Sequence, residues 1–149
     1  NGAAAEPGLI GVDQDGPACN SGNRGSLEQF ASIAALRRLS DRDPRALSQA
    51  AATGEPAALE VWERYGARLG VGLSSLVYVF TPQLVLLGGG LAGAACHFLP
   101  AVRREVEQRV QAVSREGLRI EACALGNGAG RLGAARLALL RLGGMMADD

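Results

Sequence analysis

The feature that most constrains this chain is a four-residue apolar run, Leu84-Val85-Leu86-Leu87, that breaks into Gly88-Gly89-Gly90 before a helical pattern resumes. The run has the length of a buried strand, and strand, glycine turn and helix in succession form the repeating unit of α/β folds. Glycines at the carboxyl end of such a strand permit positive φ and let backbone approach a ligand with no Cβ in the way. The turn is therefore either a tight structural bend or the floor of a nucleotide site, and the residues around it have to separate the two.

The rest of the chain supplies walls. Residues Asn1 to Gly25 carry eight Gly or Pro, which predicts loop, a short strand near Leu9 to Asp13 and a turn at Asp15-Gly16-Pro17. Ser26-Leu27-Glu28-Gln29 has N-cap chemistry and predicts a helix out to about Leu39, with Leu27, Phe30, Ile33, Ala34 and Leu36 on one face. Asp43-Pro44 opens a second helix ending by Gly54, and Glu55-Pro56 opens a third. In that third helix Leu59, Trp62, Tyr65, Leu69, Leu73, Leu76 and Val77 keep helical spacing until Thr81-Pro82 stops it. Gly66, Gly70 and Gly72 inside it are poor helix formers, so they point to close packing against a neighbour. A helix from Gly93 to Ser114, a strand from Leu118 to Leu125, a turn at 126–130, a helix from Arg131 to Leu142 and a frayed tail complete the pattern.

Composition narrows the chemistry. With 149 residues, 48% of them hydrophobic, the chain can bury one ordinary core and reads as a single domain. Its fifteen basic and fifteen acidic residues balance without a block of like charge, which disfavours a nucleic-acid surface in this segment. Every basic residue is Arg, so a P-loop and Schiff-base chemistry, both of which need Lys, are excluded. Cys19, Cys96 and Cys123 are odd in number and far apart, as reduced thiols of a cytoplasmic protein would be. No apolar run approaches the roughly 18 residues of a membrane span. The opening Asn-Gly, with no Met, is what a piece of a longer protein would show.

Gly88-x-Gly90-x-x-Gly93 also fits the dinucleotide fingerprint, but the acidic residue that should end the next strand is missing, since Glu105 and Glu107 fall mid-helix. Two N-terminal segments point elsewhere. Asn1-Gly2-Ala3-Ala4-Ala5-Glu6-Pro7-Gly8-Leu9, and Cys19-Asn20-Ser21-Gly22-Asn23-Arg24-Gly25-Ser26-Leu27-Glu28 followed by Phe30-Ala31-Ser32, resemble two signatures of the ROK family of repressors and sugar kinases. Pro82 to Leu91 resembles that family's P-x-x-I-V-L-G-G-G-L adenosine segment, and Leu125 to Ala135 its closing L-G-N-x-A-G-x-x-G-A-A. The four segments keep the family's order across nearly the whole chain.

The resemblance implies the C-terminal lobe of an actin-like ATPase (ribonuclease H-like) fold, an α/β domain with a mixed sheet packed by helices. It implies that Glu6 and Glu28 hydrogen-bond hexose hydroxyls, and that Gly88, Gly89 and Gly90 lie against the adenosine of ATP, which a kinase uses with Mg2+. A carboxylate accepting from two adjacent hydroxyls would discriminate against a sugar lacking them. The simpler reading of Glu28 is a solvated acid in a helix's first turn, favoured by the dipole.

The departures are as informative. Leu9, Cys19, Ser21 and Ser26 stand where the family has the one His and three Cys of a zinc site, so bound zinc is not expected. Ala5 replaces a Gly before Glu6, Pro7 stiffens the loop, and the lone His97 falls in a helix. The family's phosphate loops and catalytic Asp all lie upstream of the position matching Asn1, so no catalytic residue is expected in this chain. Two parent functions follow, an ATP-dependent hexose kinase or a sugar-sensing transcription regulator, with a missing N-terminal lobe and a homodimer through the long helices as partners.

Overall fold

The computed structural model describes residues 6–145. Its backbone is a pair of long helices flanked on one side by three short helices and on the other by a small sheet. The short helices are α1 (Leu27–Phe30), α2 (Ile33–Leu39) and α3 (Pro44–Ala52), and the pair is α4 (Pro56–Phe80) and α5 (Ala95–Arg109). Strands β1 (Leu84–Leu87) and β2 (Arg119–Ala122) pair in parallel, Leu84 opposite Arg119 and Leu87 opposite Ala122, and α6 (Ala129–Met145) closes the chain.

Helix α4 starts with Pro56 in its first turn, where a missing N–H costs nothing, and stops at Thr81, whose left-handed φ of 40° precedes Pro82. Its interior glycines explain how it packs. A Cβ on Gly66 would lie 2.4 Å from the Phe98 carbonyl oxygen, and one on Gly70 would lie 2.6 Å from Glu105 Cβ, so α5 rests directly on the α4 backbone. A Cβ on Gly72 would strike Leu27 Cδ1 at 2.5 Å, which seats α1 on another side of the same helix.

That approach builds the core. Trp62, fully buried, stacks on Phe98 at 5.7 Å between ring centroids, and Tyr65 meets Phe98 edge-on at 5.1 Å. His97 also stacks on Trp62, at 6.2 Å between ring centroids, which makes the lone histidine a packing residue. Burial pushes the Tyr65 phenol up to about 12. Beyond these rings, Leu36, Leu47, Val77 and Val102 are fully enclosed. The Arg103 guanidinium donates twice to the Ile120 carbonyl, at 2.7 and 3.1 Å, and fastens β2 to α5.

Several boundaries differ from the sequence reading. The strand expected at Leu9 to Asp13 is a 3-10 turn, Pro7–Leu9, followed by a lone bridge between Gly11 and Ser26. The Val12 and Asp13 amides both turn onto the Gly25 carbonyl, so no ladder can form. The helix expected from Ser26 to Leu39 breaks at Ala31 because the Ser32 hydroxyl accepts from the Ala35 amide and starts α2 afresh. The Gly93–Ser114 helix begins instead as a 3-10 turn at Ala92–Ala94 and ends at Arg109, where buried Val110 becomes extended. The second strand is half its expected length, and the sheet, expected to be mixed, is a parallel pair among the described residues. The closing helix runs from Ala129 to Met145, so part of the expected frayed tail is helical, while 146–149 lie outside the described residues.

Gly66→Ala tests the packing account. Helix propensity favours Ala by up to about 1 kcal/mol, but the added methyl meets carbonyl backbone that cannot move aside. Denaturant unfolding should show a net loss of about 1–3 kcal/mol. Gly93→Ala, whose Cβ would meet nothing within 4 Å, should be close to neutral.

Candidate functional site

Because β1 and β2 run parallel, the turns that follow them emerge at the same edge of the sheet. A Cβ on Gly88 would lie 3.7 Å from Cys123 Cβ, and the 3-10 turns at Ala92–Ala94 and Gly126–Gly128 sit against each other. This carboxyl edge is where open α/β sheets bind ligands. Within the turn only Gly89 needs to be glycine for its backbone, with φ of 85°; its carbonyl accepts from the Ala92 amide at 3.2 Å. Gly88 and Gly90 have ordinary φ, and a Cβ on Gly90 would approach only Ile33 Cδ1, at 4.0 Å. The protein itself does not require these two positions to be bare.

Opposite the turn lies a wall that the sequence reading did not assign. A groove of about 540 Å³ runs between Gly90, Leu91 and Gly93 on one side and Asp43, Arg45 and Gln49, along α3, on the other. Asp43 caps α3, accepting from the Arg45 and Ala46 amides at 2.9 and 3.1 Å, which fixes where that helix meets the groove. Asp-Pro marks a helix start in sequence, but nothing local says what the helix faces.

The carboxylates lie on adjoining segments. Glu6 precedes the Pro7–Leu9 turn, and its carbonyl accepts from the Leu9 amide. A Cβ on Gly8 would lie 3.6 Å from Glu28 Cβ, and the Leu27 amide donates to the Ile10 carbonyl at 2.8 Å. Thus the turn after Glu6 packs on the helix that carries Glu28. Both residues are exposed, and neither forms an ion pair among the described residues. Asn1 to Ala5, the start of the same motif, lie outside the described residues. The segment that begins with Glu28 also delivers Ile33 to Gly90, so one short stretch of chain touches both candidate subsites.

Beside Glu28 sits the loop that carries Cys19. Cys19 is 7% exposed, and the Ser21 hydroxyl donates to its Sγ at 3.2 Å. That contact holds the thiol below its ordinary value, while burial and the Glu28 charge oppose it. Ser26 Oγ is fully enclosed and has no hydrogen-bond partner of its own. One thiol, two hydroxyls and Leu9 do not make a four-donor zinc set. Among the described residues no three His, Cys, Asp or Glu come together as ligands, and no helix is long and apolar enough to cross a membrane.

Comparison with known proteins decides the family. The ROK family pattern matches residues 1–141. The chain belongs to the ROK family. It is 29% identical to a glucokinase of Thermotoga maritima over 97% of this chain and 52% of the relative. It is 30% identical to a xylose repressor of Bacillus subtilis, over 89% of this chain and 36% of that protein. Among solved structures it is similar to a ROK family glucokinase from Streptomyces griseus in complex with glucose and AMPPNP, with TM-score 0.81 and 30% identity, covering 90% of this chain and 51% of that one. The ROK chain thus spans about half the length of these kinases.

The Cys19 environment makes a pH prediction. Its thiol pKa is lower folded than the ordinary 9.0, so the unfolded chain binds more protons and stability rises with pH between the two values. The contribution is complete above the unfolded value and lost as pH falls through the folded one. Unfolding free energies of wild type and Cys19→Ala, compared from neutral pH to above 9.0, should diverge as pH rises; parallel curves would remove the hydroxyl–thiol contact.

Proposed function

We propose that this chain is the C-terminal lobe of a ROK-type, ATP-dependent, glucokinase-like sugar kinase, binding adenosine and part of a hexose without being catalytic alone. The observation that carries the reading is Gly90, left bare on the wall of a groove although neither crowding nor φ requires it. Removing Cβ atoms there makes sense for a flat ligand lying on the backbone.

In this reading the adenosine of ATP occupies the groove between the glycine turn and the start of α3. Glu6 and Glu28 accept hydrogen bonds from hexose hydroxyls and fix the sugar's orientation. Being exposed here, they would be covered when the other lobe closes over the sugar and excludes water. The phosphates, the Mg2+ they carry and the base that takes the hydroxyl proton belong to that other lobe. Support for a second lobe comes from apolar surface that one parallel pair of strands leaves open. Leu86 of β1 is 54% exposed and Leu139 of α6 is 65% exposed, whereas parallel sheets are ordinarily covered on both faces. The cysteine loop, in the same reading, is held by hydroxyl–thiol contacts in place of zinc, and the protein is a cytoplasmic homodimer.

The similarity to a xylose repressor supports a second reading, in which the same lobe senses a sugar for a transcription regulator. Titration calorimetry on the full-length protein separates the two. A kinase binds both ATP and glucose; sugar binding with no ATP binding would give the regulator. Glu28→Ala should weaken hexose binding by about 1–3 kcal/mol, the penalty for sugar hydroxyls left unpaired, and unchanged affinity would take Glu28 out of the site. Gly90→Val should lower ATP affinity by about tenfold or more, roughly 1.4 kcal/mol per decade, with hexose binding kept; equal ATP affinity would remove the glycine turn from the nucleotide site.

A further inference from the structure

A second groove, of about 390 Å³, lies between α2 and α4 and shares no residue with the glycine-turn groove or with Glu6 and Glu28. Its floor is apolar, built from Phe30, Leu39 and Ala67, and its rim carries three guanidinium groups: Arg38 from α2, with Arg64 and Arg68 one turn apart on α4. We propose that this groove is a binding site for a phosphate monoester.

Charge makes the first argument. Like charges four residues apart on a helix repel each other, and Arg38 adds a third positive charge from the facing helix. Asp13 offsets only Arg68, with 3.6 Å between Oδ2 and Nη1. Arg38 and Arg64 have no carboxylate within ion-pair distance among the described residues. The groove therefore holds two uncompensated positive charges, and a phosphate monoester carries about −1.5 to −2 at neutral pH. A carboxylate would neutralise one of them and offers only two oxygens to three donors.

Preorganisation makes the second. Arg38 Nη2 donates to the Gln29 backbone carbonyl, and the Arg68 guanidinium lies 4.7 Å from the centroid of the Phe30 ring. Two of the three long side chains are thus already held at the rim, which lowers the ordering penalty of binding. Guanidinium forks suit phosphate oxygens in geometry as well as charge. A volume in the range of small-molecule sites leaves room, over the apolar floor, for the group esterified to the phosphate.

The test is calorimetric titration of the full-length protein with inorganic phosphate, glycerol 3-phosphate and, as the uncharged control, glycerol. Both phosphates should bind, the ester more tightly, and glycerol should not. Arg64→Gln and Arg38→Gln should each weaken glycerol 3-phosphate binding by about tenfold, and Arg64→Lys by less, because it keeps the charge and loses the fork. Glu28→Ala and Gly90→Val should leave that binding unchanged. Thermal melts matched to wild type would show that these exposed arginine substitutions leave the fold intact. The proposal is overturned if neither phosphate binds at millimolar concentration, if Arg38→Gln/Arg64→Gln binds them as wild type does, or if Gly90→Val abolishes binding.

Discussion

Helix α4 and helix α5 touch through backbone, and the positions that allow it are Gly66 and Gly70. With any side chain there the axes would separate, and the Trp62–Tyr65–Phe98 rings would no longer meet across them. Much else is placed by this contact. Helix α5 continues directly from the glycine turn, so its seat on α4 sets where the turn stands. Arg103 of α5 holds β2 by its Ile120 carbonyl, and β2 in turn sets the position of the 126–128 turn beside the first. Glycine in a helix interior weakens the helix by about 1 kcal/mol. Here that loss is offset by the burial of three aromatic rings.

The described glycines are bare for different physical reasons. Gly66, Gly70 and Gly72 are bare because protein atoms already fill the space a Cβ would take. Gly88 and Gly90 keep ordinary backbone, and a Cβ there would make only ordinary contacts, with Cys123 at 3.7 Å and Ile33 at 4.0 Å, so neither crowding nor conformation explains them. In the function proposed above, a ligand lying on the backbone at the carboxyl edge of the sheet supplies the reason. The same contrast separates Gly89 from its neighbours, since its φ alone accounts for it.

Membership of the ROK family unites kinases and repressors, and the chain is about equally similar to one of each. On the proposed reading that is intelligible, because sensing a sugar and phosphorylating it would use the same carboxylates and differ in what the rest of the protein adds. Apolar faces on β1 and α6 point outward. Such surface is a poor end state in water and is the kind of face that ordinarily meets a partner.

Hydrophobic period, capping residues and glycine runs are local signals, and what they govern was legible. They fixed α3, α4 and β1 nearly to the residue, predicted close packing at Gly66, Gly70 and Gly72, and carried the family resemblance through four ordered segments. The Ser32 cap was present in the letters but hidden by an apolar period running through it, so one helix was read where the structure has two. Other features depend on residues distant in sequence and could come only from the tertiary fold. The Gly25 carbonyl captures the Val12 and Asp13 amides and cancels a strand, and packing turns the start of α3 toward the glycine turn. It also brings Arg38 from one helix to Arg64 and Arg68 of another. Sequence sets what each segment prefers to be, whereas which side chains share a cavity is decided by chain closure, and no local period encodes that.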